Sequence, residues 1–353
     1  MGPLDTLDTP CVLVDLDVAD ANIVRHQAYL TAHGIAARPH IKTHKTVDLA
    51  RAQMAAGAVG ITCQKLGEAE VMADAGFTDI LLTYNIVGAP KLARLMALHA
   101  RIAIAVVADS AAVVDGLAAA SRDPARPLTV LVECDTGARR CGVADPGLAL
   151  ALAHRIQAAP GLAFGGLMTY PPNGGTAAVE AFMAEAKALL DAAGLLCPRV
   201  TSGGSPDMWR AHEAPVVSEY RAGTYIYNDR SLVERGVCDW ADCALTVLAT
   251  VVSVPAQDRA VIDAGSKVLT TDPMGLTGHG HVLGRPDLAI DRLSEEHGCV
   301  QASDGAVRLS VGQRLRIVPN HVCVVSNMVD RVVALRDGAP VGELAIAARG
   351  RVT

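Results

Sequence analysis

The sequence has 353 residues, 51% of them hydrophobic, and a formal net charge of −6 at pH 7. A chain of this length exceeds what one hydrophobic core usually organises, so we expect one large barrel or two domains. Because the charge is mildly negative and no block of Lys or Arg stands out, we expect neither nucleic acid nor an anionic membrane as a partner.

The N-terminal residues and the cysteines indicate the compartment. The chain starts without the basic and apolar segments of a signal peptide, and no apolar run reaches the ~20 residues of a membrane-spanning helix. Its nine cysteines are odd in number and include no Cys-x-x-Cys pair. These features predict a cytoplasmic protein with reduced thiols.

Strand-like and helix-like segments alternate between Cys11 and Asp229. The candidate strands are 35–41, 59–62, 79–83, 103–107, 128–134, 163–169, 199–202 and 219–226. The helical segments between them include 47–56, 66–75, 91–100, 148–158 and 177–193. Repeated strand–helix units imply a parallel sheet, and eight of them imply a closed α/β TIM barrel.

After Asp229 the pattern changes to short β-prone segments separated by Gly, Pro and Asp. These segments are 247–254, 260–262, 307–309, 314–317, 322–325, 331–335 and 343–347. They are typical of an antiparallel β domain. We therefore predict a barrel domain over 1–235, whose first residues are candidates to join the other domain, and a C-terminal β-rich domain over 236–353.

Lys42 follows the first predicted barrel strand, where its side chain would point into the barrel mouth. A lysine that is desolvated there can present a neutral amine, which forms an imine with an aldehyde. The alternative is a solvated basic loop, but the presence of His40, His44 and Lys45 in the same short segment argues against it.

Two glycine-rich loops belong to the seventh and eighth predicted units, where TIM barrels have their recurring phosphate site. Small residues let backbone N–H groups approach a dianion, and a hydroxyl adds a donor. Ordinary turns are the alternative, although the position of both loops favours a phosphate site. The residues concerned are Ser202, Gly203, Gly204, Ser205, Gly223, Thr224 and Tyr225.

His321 and Cys323 stand two apart in a predicted strand, so both side chains would lie on one face. Imidazole and thiolate make half of a zinc site, and substrate oxygens and waters would complete the shell. A packed strand is the alternative explanation of this spacing.

Several motifs resemble one enzyme family, in the right order along nearly the whole chain. They are Pro39-His40-Ile41-Lys42-Thr43-His44-Lys45, Ile61-Thr62-Cys63-Gln64-Lys65, Glu133-Cys134-Asp135-Thr136-Gly137 with Arg140-Cys141-Gly142, Ser202-Gly203-Gly204-Ser205-Pro206, and Pro319-Asn320-His321-Val322-Cys323. The chain resembles the D-threonine aldolase and eukaryotic-type D-serine dehydratase family. These are fold-type III pyridoxal 5'-phosphate (PLP) enzymes with an alanine racemase-like barrel. The resemblance implies that Lys42 carries PLP as a Schiff base and that the protein is a homodimer.

The same resemblance assigns three further residues to the cofactor. It counts His40 among the PLP-binding residues and implies that Arg140 lies near the phenolic oxygen of PLP. For Arg140, a salt bridge with Glu133 or Asp135 is the alternative. Tyr170 would stack on the cofactor or hydrogen-bond to it, although the histidine that usually follows this tyrosine in the aldolases is absent here.

Arg221 departs from many D-threonine aldolases and corresponds to the arginine that alanine racemases place against the pyridine nitrogen. An arginine there would keep the ring unprotonated, so we hypothesise that the chemistry depends more on a metal than on the ring. Pairing of Arg221 with Glu219 is the alternative.

The resemblance also implies a metal and an acid/base residue. His321 and Cys323 correspond to the family's His-x-Asp or His-x-Cys pair, which binds a divalent ion that contacts the β-hydroxyl of the substrate. Cysteine favours zinc through its softness, with manganese or magnesium as alternatives. His297 is a candidate acid/base residue and His279 and His281 are weaker candidates, with a surface or structural histidine as the alternative for all three.

The implied function is a lyase that acts on small D-configured β-hydroxy-α-amino acids. Retro-aldol cleavage of D-threonine-like substrates to glycine and an aldehyde is favoured by the overall resemblance. Dehydration of D-serine or D-threo-3-hydroxyaspartate is the alternative, which Cys323 favours. A non-catalytic PLP-binding protein is disfavoured because such proteins consist of the barrel alone. A racemase is disfavoured because no tyrosine follows Tyr227 to serve as the second base.

Overall fold

The computed structural model describes residues 2–353, which divide into two compact units. The barrel unit comprises Arg25–Lys42, Ala50–Gly223 and Arg351–Thr353, and the β unit comprises the residues up to Val24, Thr43–Leu49 and Thr224–Gly350. The longest segment of the barrel unit ends at Gly223, and the predicted domain bounds 1–235 and 236–353 stay a prediction.

Eight parallel strands form the sheet of the barrel unit. They are Ala36–Ala37, Ile61–Cys63, Asp79–Asn85, Ala103–Ala108, Leu128–Cys134, Leu162–Thr169, Val200–Ser202 and Glu219–Tyr220. The first strand pairs with the eighth through Ala36 and Glu219. A parallel bridge between His40 and Thr62 then joins the first strand to the second. The predicted eight-stranded alanine racemase-like barrel is confirmed.

Helices connect the barrel strands at their predicted places. The α-helices in this part of the chain are Leu16–Ala32, Val47–Ala55, Leu66–Asp74, Ala89–His99, Ala111–Ala120, Pro146–Ala158 and Thr176–Ala192, and Ser205–Glu213 is a 3-10 helix. Local sequence explains the start of Pro146–Ala158, because the Asp145 side chain accepts hydrogen bonds from the Gly147 and Leu148 N–H groups and Pro146 occupies the first turn.

Apolar side chains fill the interior of the barrel. They come from neighbouring strands at alternating positions, as expected where successive side chains of a strand point to opposite faces. The buried cluster consists of Leu81, Ala105, Val107, Leu131 and Met168. This packed core supports the ends of the strands, from which the candidate site residues project.

A nine-stranded sheet forms the core of the β unit. Its strands are Cys11–Asp15, Leu245–Ala256, Arg259–Ile262, His281–Val282, Leu288–Leu293, Gly298–Ala302, Arg314–Val318, Arg331–Arg336 and Ala339–Ala345. All pairings are antiparallel except that of Cys11–Asp15 with Arg331–Arg336. Leu13, Leu248 and Leu335 pack together as a buried cluster in this sheet.

Short helices complete the β unit. The α-helices are Arg230–Val233, Ser266–Leu269 and Val322–Met328, and the 3-10 turns are Thr224–Ile226 and Trp240–Asp242. Among residues 2–353, the helices are all too short or too polar to cross a membrane.

Two strands predicted for the β domain are wrong. Segment 322–325 reads as a strand because it is rich in valine, but it begins the helix Val322–Met328. In this helix Val322 and Val325 are buried at i, i+3 spacing, and the Val322 N–H donates to Asp229 Oδ2 at 3.2 Å. Segment 307–309 is not a strand because Arg308 has a φ of 46°, outside the extended region.

Candidate active site

Lys42 lies directly after the first barrel strand, in the 3-10 turn Ile41–Thr43. The preceding His40 holds this turn, since its N–H donates to the Ala222 carbonyl at 2.9 Å and its Nδ1 accepts the Lys42 N–H at 3.4 Å. The Nε2 atom of His40 lies 3.1 Å from Gln64 Oε1, and the Lys42 side chain is half-buried. Lys42 therefore lies at the carboxyl ends of the strands, the face that carries the chemistry of TIM barrels.

Tyr170 lies beside both Lys42 and Arg140. Its ring centre is 5.8 Å from Lys42 Nζ and 4.7 Å from the guanidinium carbon of Arg140. A cation over an aromatic face is attracted by the ring quadrupole. The structure therefore brings these three predicted residues together, with Arg140 exposed and Tyr170 half-buried.

A cavity of about 410 Å³ opens beside Arg140 and contains a buried carboxyl group. Burial and the neighbouring Asp109 raise the pKa of Glu133 to about 7, although Arg221 and Arg140 oppose the rise. A carboxyl group that titrates near neutral pH among candidate cofactor residues is itself a candidate site residue. The cavity is lined by Gln64, Thr83, Tyr84, Asn85, Val87, Lys91, Glu133, Arg140 and Cys141.

The loop after the seventh strand has a backbone that larger residues could not adopt. A Cβ atom on Gly203 would lie 2.6 Å from the Arg221 carbonyl oxygen, and Gly204 has a φ of 123°. The Tyr220 hydroxyl donates to the Gly204 carbonyl at 2.8 Å, and Ser205 begins the following 3-10 helix. This close-packed glycine loop at a helix start fits a phosphate cradle.

Arg221 is a buried cation held by uncharged oxygen atoms. Its Nε donates to Thr201 Oγ1 at 2.9 Å, and its Nη2 donates to the Thr169 carbonyl. Burial lowers the pKa of Arg221 to about 10, against the opposing influence of Glu219 and Glu133. Glu219 instead pairs with Arg38, at 2.8 Å between Oε2 and Nε. The guanidinium of Arg221 is thus fixed without a carboxylate in direct contact.

The second predicted phosphate loop is divided between the two units. Gly223 ends a segment of the barrel unit, whereas Thr224 and Tyr225 start the 3-10 turn Thr224–Ile226 of the β unit. Thr224 Oγ1 lies 3.8 Å from Cys323 Sγ. Within the β unit, the Thr224 hydroxyl is therefore a neighbour of the predicted metal ligand.

His321 and Cys323 lie together at the start of a helix, not in the predicted strand. His321 has an extended backbone and precedes the helix Val322–Met328, and its side chain is hydrogen-bonded to Cys323. The Nδ1 atom of His321 lies 2.9 Å from Oδ2 of the fully buried Asp229. The other carboxylate oxygen of Asp229 accepts the Ser231 hydroxyl at 2.7 Å. A carboxylate on one imidazole nitrogen fixes the ring and leaves the other nitrogen for a ligand.

The electrostatics of this pair fit a divalent metal. Burial disfavours the charged imidazole, but the Cys323 thiolate and Asp229 outweigh it and raise the pKa of His321 to about 11. The Thr43 hydroxyl lies 3.2 Å from Cys323 Sγ, which suits a thiolate that accepts hydrogen bonds. Residues 2–353 contain no group of three or more His, Cys, Asp or Glu side chains placed to hold a metal ion. A metal here would therefore take its remaining ligands from substrate or water.

The other histidine candidates also belong to the β unit. His297 is exposed, in the turn between the strands Leu288–Leu293 and Gly298–Ala302. The His281 ring stacks on Trp240 with 3.8 Å between ring centres. This contact supports a structural role for His281. A catalytic role for His297 stays a prediction.

Sequence reasoning missed three residues that contact or influence the predicted ones. They are Glu133, Thr43 and Asp229. Asp229 precedes a short helix, and its side chain accepts the Leu232 N–H at 3.2 Å. A helix-capping pattern in the sequence could therefore have pointed to Asp229. No pattern in the sequence indicates that the same carboxylate also binds His321, 92 positions further along the chain.

Comparison with known proteins supplies the family. The family model "Alanine racemase, N-terminal domain" matches residues 14–231, and a serine dehydratase domain model matches residues 244–335. The D-threonine aldolase of Arthrobacter sp is 36% identical over 99% of this chain and 94% of its own length. The D-threo-3-hydroxyaspartate dehydratase of Delftia sp. is 37% identical over 90% of this chain and 91% of its own length.

The chain belongs to the fold-type III PLP family of D-threonine aldolases and D-threo-3-hydroxyaspartate dehydratases. It is accordingly a PLP-dependent lyase. The solved D-threonine aldolase of Filomicrobium marinum superposes with a TM-score of 0.92 at 32% identity, covering 99% of this chain and 98% of the other. Two solved D-threo-3-hydroxyaspartate dehydratases carry a histidine-to-alanine and a cysteine-to-alanine mutation two positions apart, and the cysteine variant is in the metal-free form.

The residues of the barrel unit fit PLP on their own geometry. Lys42 supplies a primary amine at the carboxyl ends of the strands. The glycine loop at Gly203 has a backbone that a Cβ atom would obstruct. Arg221 supplies a buried guanidinium that makes hydrogen bonds to Thr201 and Thr169.

Proposed function

We propose that the protein cleaves D-configured β-hydroxy-α-amino acids of the D-threonine type to glycine and an aldehyde. The observation that carries this proposal is the grouping of Lys42, Tyr170 and Arg140 at one face of a barrel whose whole chain is similar to D-threonine aldolases. A 3-hydroxy-D-aspartate aldolase of Paracoccus denitrificans is also 32% identical over 98% of this chain.

The roles of the barrel residues follow from their chemistry. PLP, when bound, withdraws electrons from the α-carbon of an amino acid and so weakens the bonds to that atom. Lys42 would hold PLP covalently, and its amine would hold or return a proton at the substrate α-carbon. The Tyr170 ring lies beside Lys42 and would shield the space there from water. Arg140 and Arg221 would supply positive charge to the cofactor oxygen and ring nitrogen, respectively.

His321 and Cys323 would hold a divalent metal, which supplies Lewis-acid polarisation of the β-oxygen of the substrate. The histidine-to-alanine variant and the metal-free cysteine-to-alanine variant of the D-threo-3-hydroxyaspartate dehydratase support this assignment, because the two mutated positions have the same spacing as His321 and Cys323. We propose zinc as the preferred ion, since a thiolate is a soft ligand, with manganese or magnesium as the alternatives.

A dehydratase acting on D-threo-3-hydroxyaspartate or D-serine is the second candidate. The His321–Cys323 pair favours it, because the two dehydratase variants carry their histidine and cysteine mutations at the same spacing. The Delftia dehydratase is 37% identical to this chain, against 36% for the Arthrobacter aldolase. The two reactions differ in the bond that breaks. In the aldolase reaction the β-hydroxyl loses its proton and the Cα–Cβ bond breaks, whereas in the dehydratase Lys42 removes the α-proton and the β-hydroxyl leaves.

Product analysis tests the proposal. The PLP-loaded, metal-supplemented protein is incubated with D-threonine, D-serine and D-threo-3-hydroxyaspartate, with L-threonine and the Lys42→Ala variant as controls. We expect glycine and acetaldehyde from D-threonine and no product in either control. Formation of ammonia and a 2-oxo acid without glycine would show that the protein is a dehydratase and not an aldolase. No product from any D-amino acid would contradict both.

We also propose that the protein is a cytoplasmic homodimer whose only partner in catalysis is a small D-amino acid. The nine free thiols support a cytoplasmic location, and the family resemblance supports a homodimer. The net charge of −6 gives no support for nucleic acid or an anionic membrane as a partner.

A further inference from the structure

Cys238 and Cys243 flank a closed turn of the β unit. The turn is the 3-10 segment Trp240–Asp242. Two hydrogen bonds close it: the Asp242 N–H donates to the Asp239 carbonyl at 3.0 Å, and the Asp239 N–H donates to Asp242 Oδ2 at 2.9 Å. These two bonds bring the ends of the turn together, and Cys243 Sγ lies 3.8 Å from the carbonyl oxygen of Asp239, the residue that follows Cys238. The Cys238 thiol is near enough to raise the pKa of Cys243. Both are free thiols, Cys238 half-buried and Cys243 buried.

The turn is attached to the segment that carries Asp229. The Asp242 carbonyl accepts the side-chain amides of Asn22 at 2.8 Å and Asn228 at 3.0 Å. A further hydrogen bond joins the same two segments, since the Ala244 N–H donates to the Tyr227 carbonyl at 2.7 Å. A change in the shape of the turn therefore acts on Asn228 and, through the backbone, on the neighbouring Asp229.

We propose that Cys238 and Cys243 are a modification site at which a low-molecular-weight disulfide oxidises the two thiols to an intramolecular disulfide. Closing this bond pulls the ends of the turn closer and displaces the Asp242 carbonyl from its two amide donors. The Asp229 carboxylate then orients His321 less well, and the metal is held more weakly. The effect on the metal rests on the proposed function, whereas the disulfide itself does not.

The exchange proceeds in two balanced steps. The Cys238 thiolate attacks one sulfur of the disulfide RSSR, forming Cys238–S–SR and releasing RS⁻. The Cys243 thiolate then attacks Cys238 Sγ and releases the second RS⁻. Two protein thiols are oxidised by two electrons, RSSR is reduced to two thiols, and the two protons pass to the RS⁻ ions. Cys238 reacts first because it is more exposed, and because the neighbouring Cys238 thiol and burial raise the pKa of Cys243.

The position of the basic residues allows a direct assay of the disulfide. No Lys or Arg lies between Arg235 and Arg259, so trypsin releases both cysteines in one peptide, 236–259, which contains no other cysteine. The reduced holoenzyme is treated with oxidised glutathione, and the remaining thiols are alkylated before digestion. We expect this peptide to be lighter by two hydrogen atoms and to carry no alkyl group.

Two controls separate the proposed pair from ordinary thiol reactivity. Cys243→Ser leaves one thiol, so its peptide should stop at the glutathione adduct of Cys238. Cys299 is half-buried like Cys238, and its sulfur contacts the Arg292 guanidinium; it should also stop at a glutathione adduct. Peptide 236–259 carrying two glutathiones, a single adduct or two alkyl groups in the wild type would overturn the modification site.

Metal competition tests the effect on the active site. A chromophoric chelator is titrated against the zinc-loaded reduced protein, the oxidised protein and oxidised Cys243→Ser. We expect a metal Kd that is about tenfold higher in the oxidised wild type only. A disulfide that leaves the metal Kd unchanged would overturn the coupling.

The failure of the proposed metal site can be recognised separately. If the reduced protein binds no zinc, the metal assignment fails, while the peptide mass still decides whether the disulfide forms. Hydrogen exchange then measures the coupling between the disulfide and Asp229 without any metal. Oxidation should speed exchange of the Leu232 and Val233 amides, which depend on Asp229, and unchanged exchange there would contradict the coupling.

Discussion

At the scale of single residues, the candidate site is organised by buried charges. Arg221 lies buried without a carboxylate in direct contact, and Glu133 lies buried where two arginines and Asp109 act on it. Lone buried charges are costly unless they are paired, and they are retained where a ligand uses them. The sequence pointed to Arg221 through the family resemblance, but the burial of Glu133 depends on packing that only the folded chain shows.

The titration of Glu133 should be visible in the stability of the apoprotein. Its pKa rises from 4.5 to about 7 on folding, so the folded chain binds this proton more tightly than the unfolded chain. The resulting stabilisation is full below pH 4.5 and is lost as pH rises through 7, a change of about 3 kcal/mol. We therefore expect the free energy of unfolding of Glu133→Gln, measured against that of the wild type, to rise by this amount from pH 4.5 to 7.5.

A matched control is Glu185→Gln, which changes an exposed glutamate on the helix Thr176–Ala192. Its unfolding free energy in urea should follow that of the wild type across the same pH range. If Glu133→Gln also runs parallel to the wild type, Glu133 does not titrate in this window.

At the scale of elements, one carboxylate fixes the starts of two helices. Asp229 caps Arg230–Val233 through the Leu232 N–H, and its other oxygen accepts the N–H of Val322 and lies against His321. This arrangement explains why a valine-rich segment that reads as a strand forms a helix instead. Local propensity was overruled by a tertiary cap and by burial of one helical face. His321 and Cys323 therefore lie together at a helix start and not on one face of a strand, and their role as metal ligands stays a prediction.

Removing the charge of Asp229 should weaken metal binding. In Asp229→Asn the amide cannot hold the His321 ring as a carboxylate does, so we expect the zinc affinity to fall by about 10–100-fold. Equilibrium competition with a chelator at pH 7 measures this. The control is Asp145→Asn, which alters the cap of Pro146–Ala158 in the other unit. Equal zinc affinity in Asp229→Asn and the wild type would show that Asp229 does not orient a metal ligand.

At the scale of the whole molecule, the sequence predicted the architecture better than the details of the site. Periodic apolar strands and amphipathic helices located all eight barrel strands, because both faces of these elements pack in a regular way. The β unit was less predictable. Its first strand, Cys11–Asp15, comes from the opposite end of the chain and pairs with Leu245–Ala256 and Arg331–Arg336. Such pairings over more than 200 residues leave no local signal.

Borohydride reduction of the PLP-loaded protein, followed by peptide mass mapping, tests the central claim that Lys42 carries the cofactor. The wild type should be coloured before reduction and should afterwards carry one pyridoxyl phosphate on Lys42. The Lys42→Ala variant should carry none. The control is Lys45→Ala, which removes the same four side-chain atoms three positions further along the chain and should be labelled like the wild type. A colourless wild-type protein, or a label on any other lysine, would contradict the account.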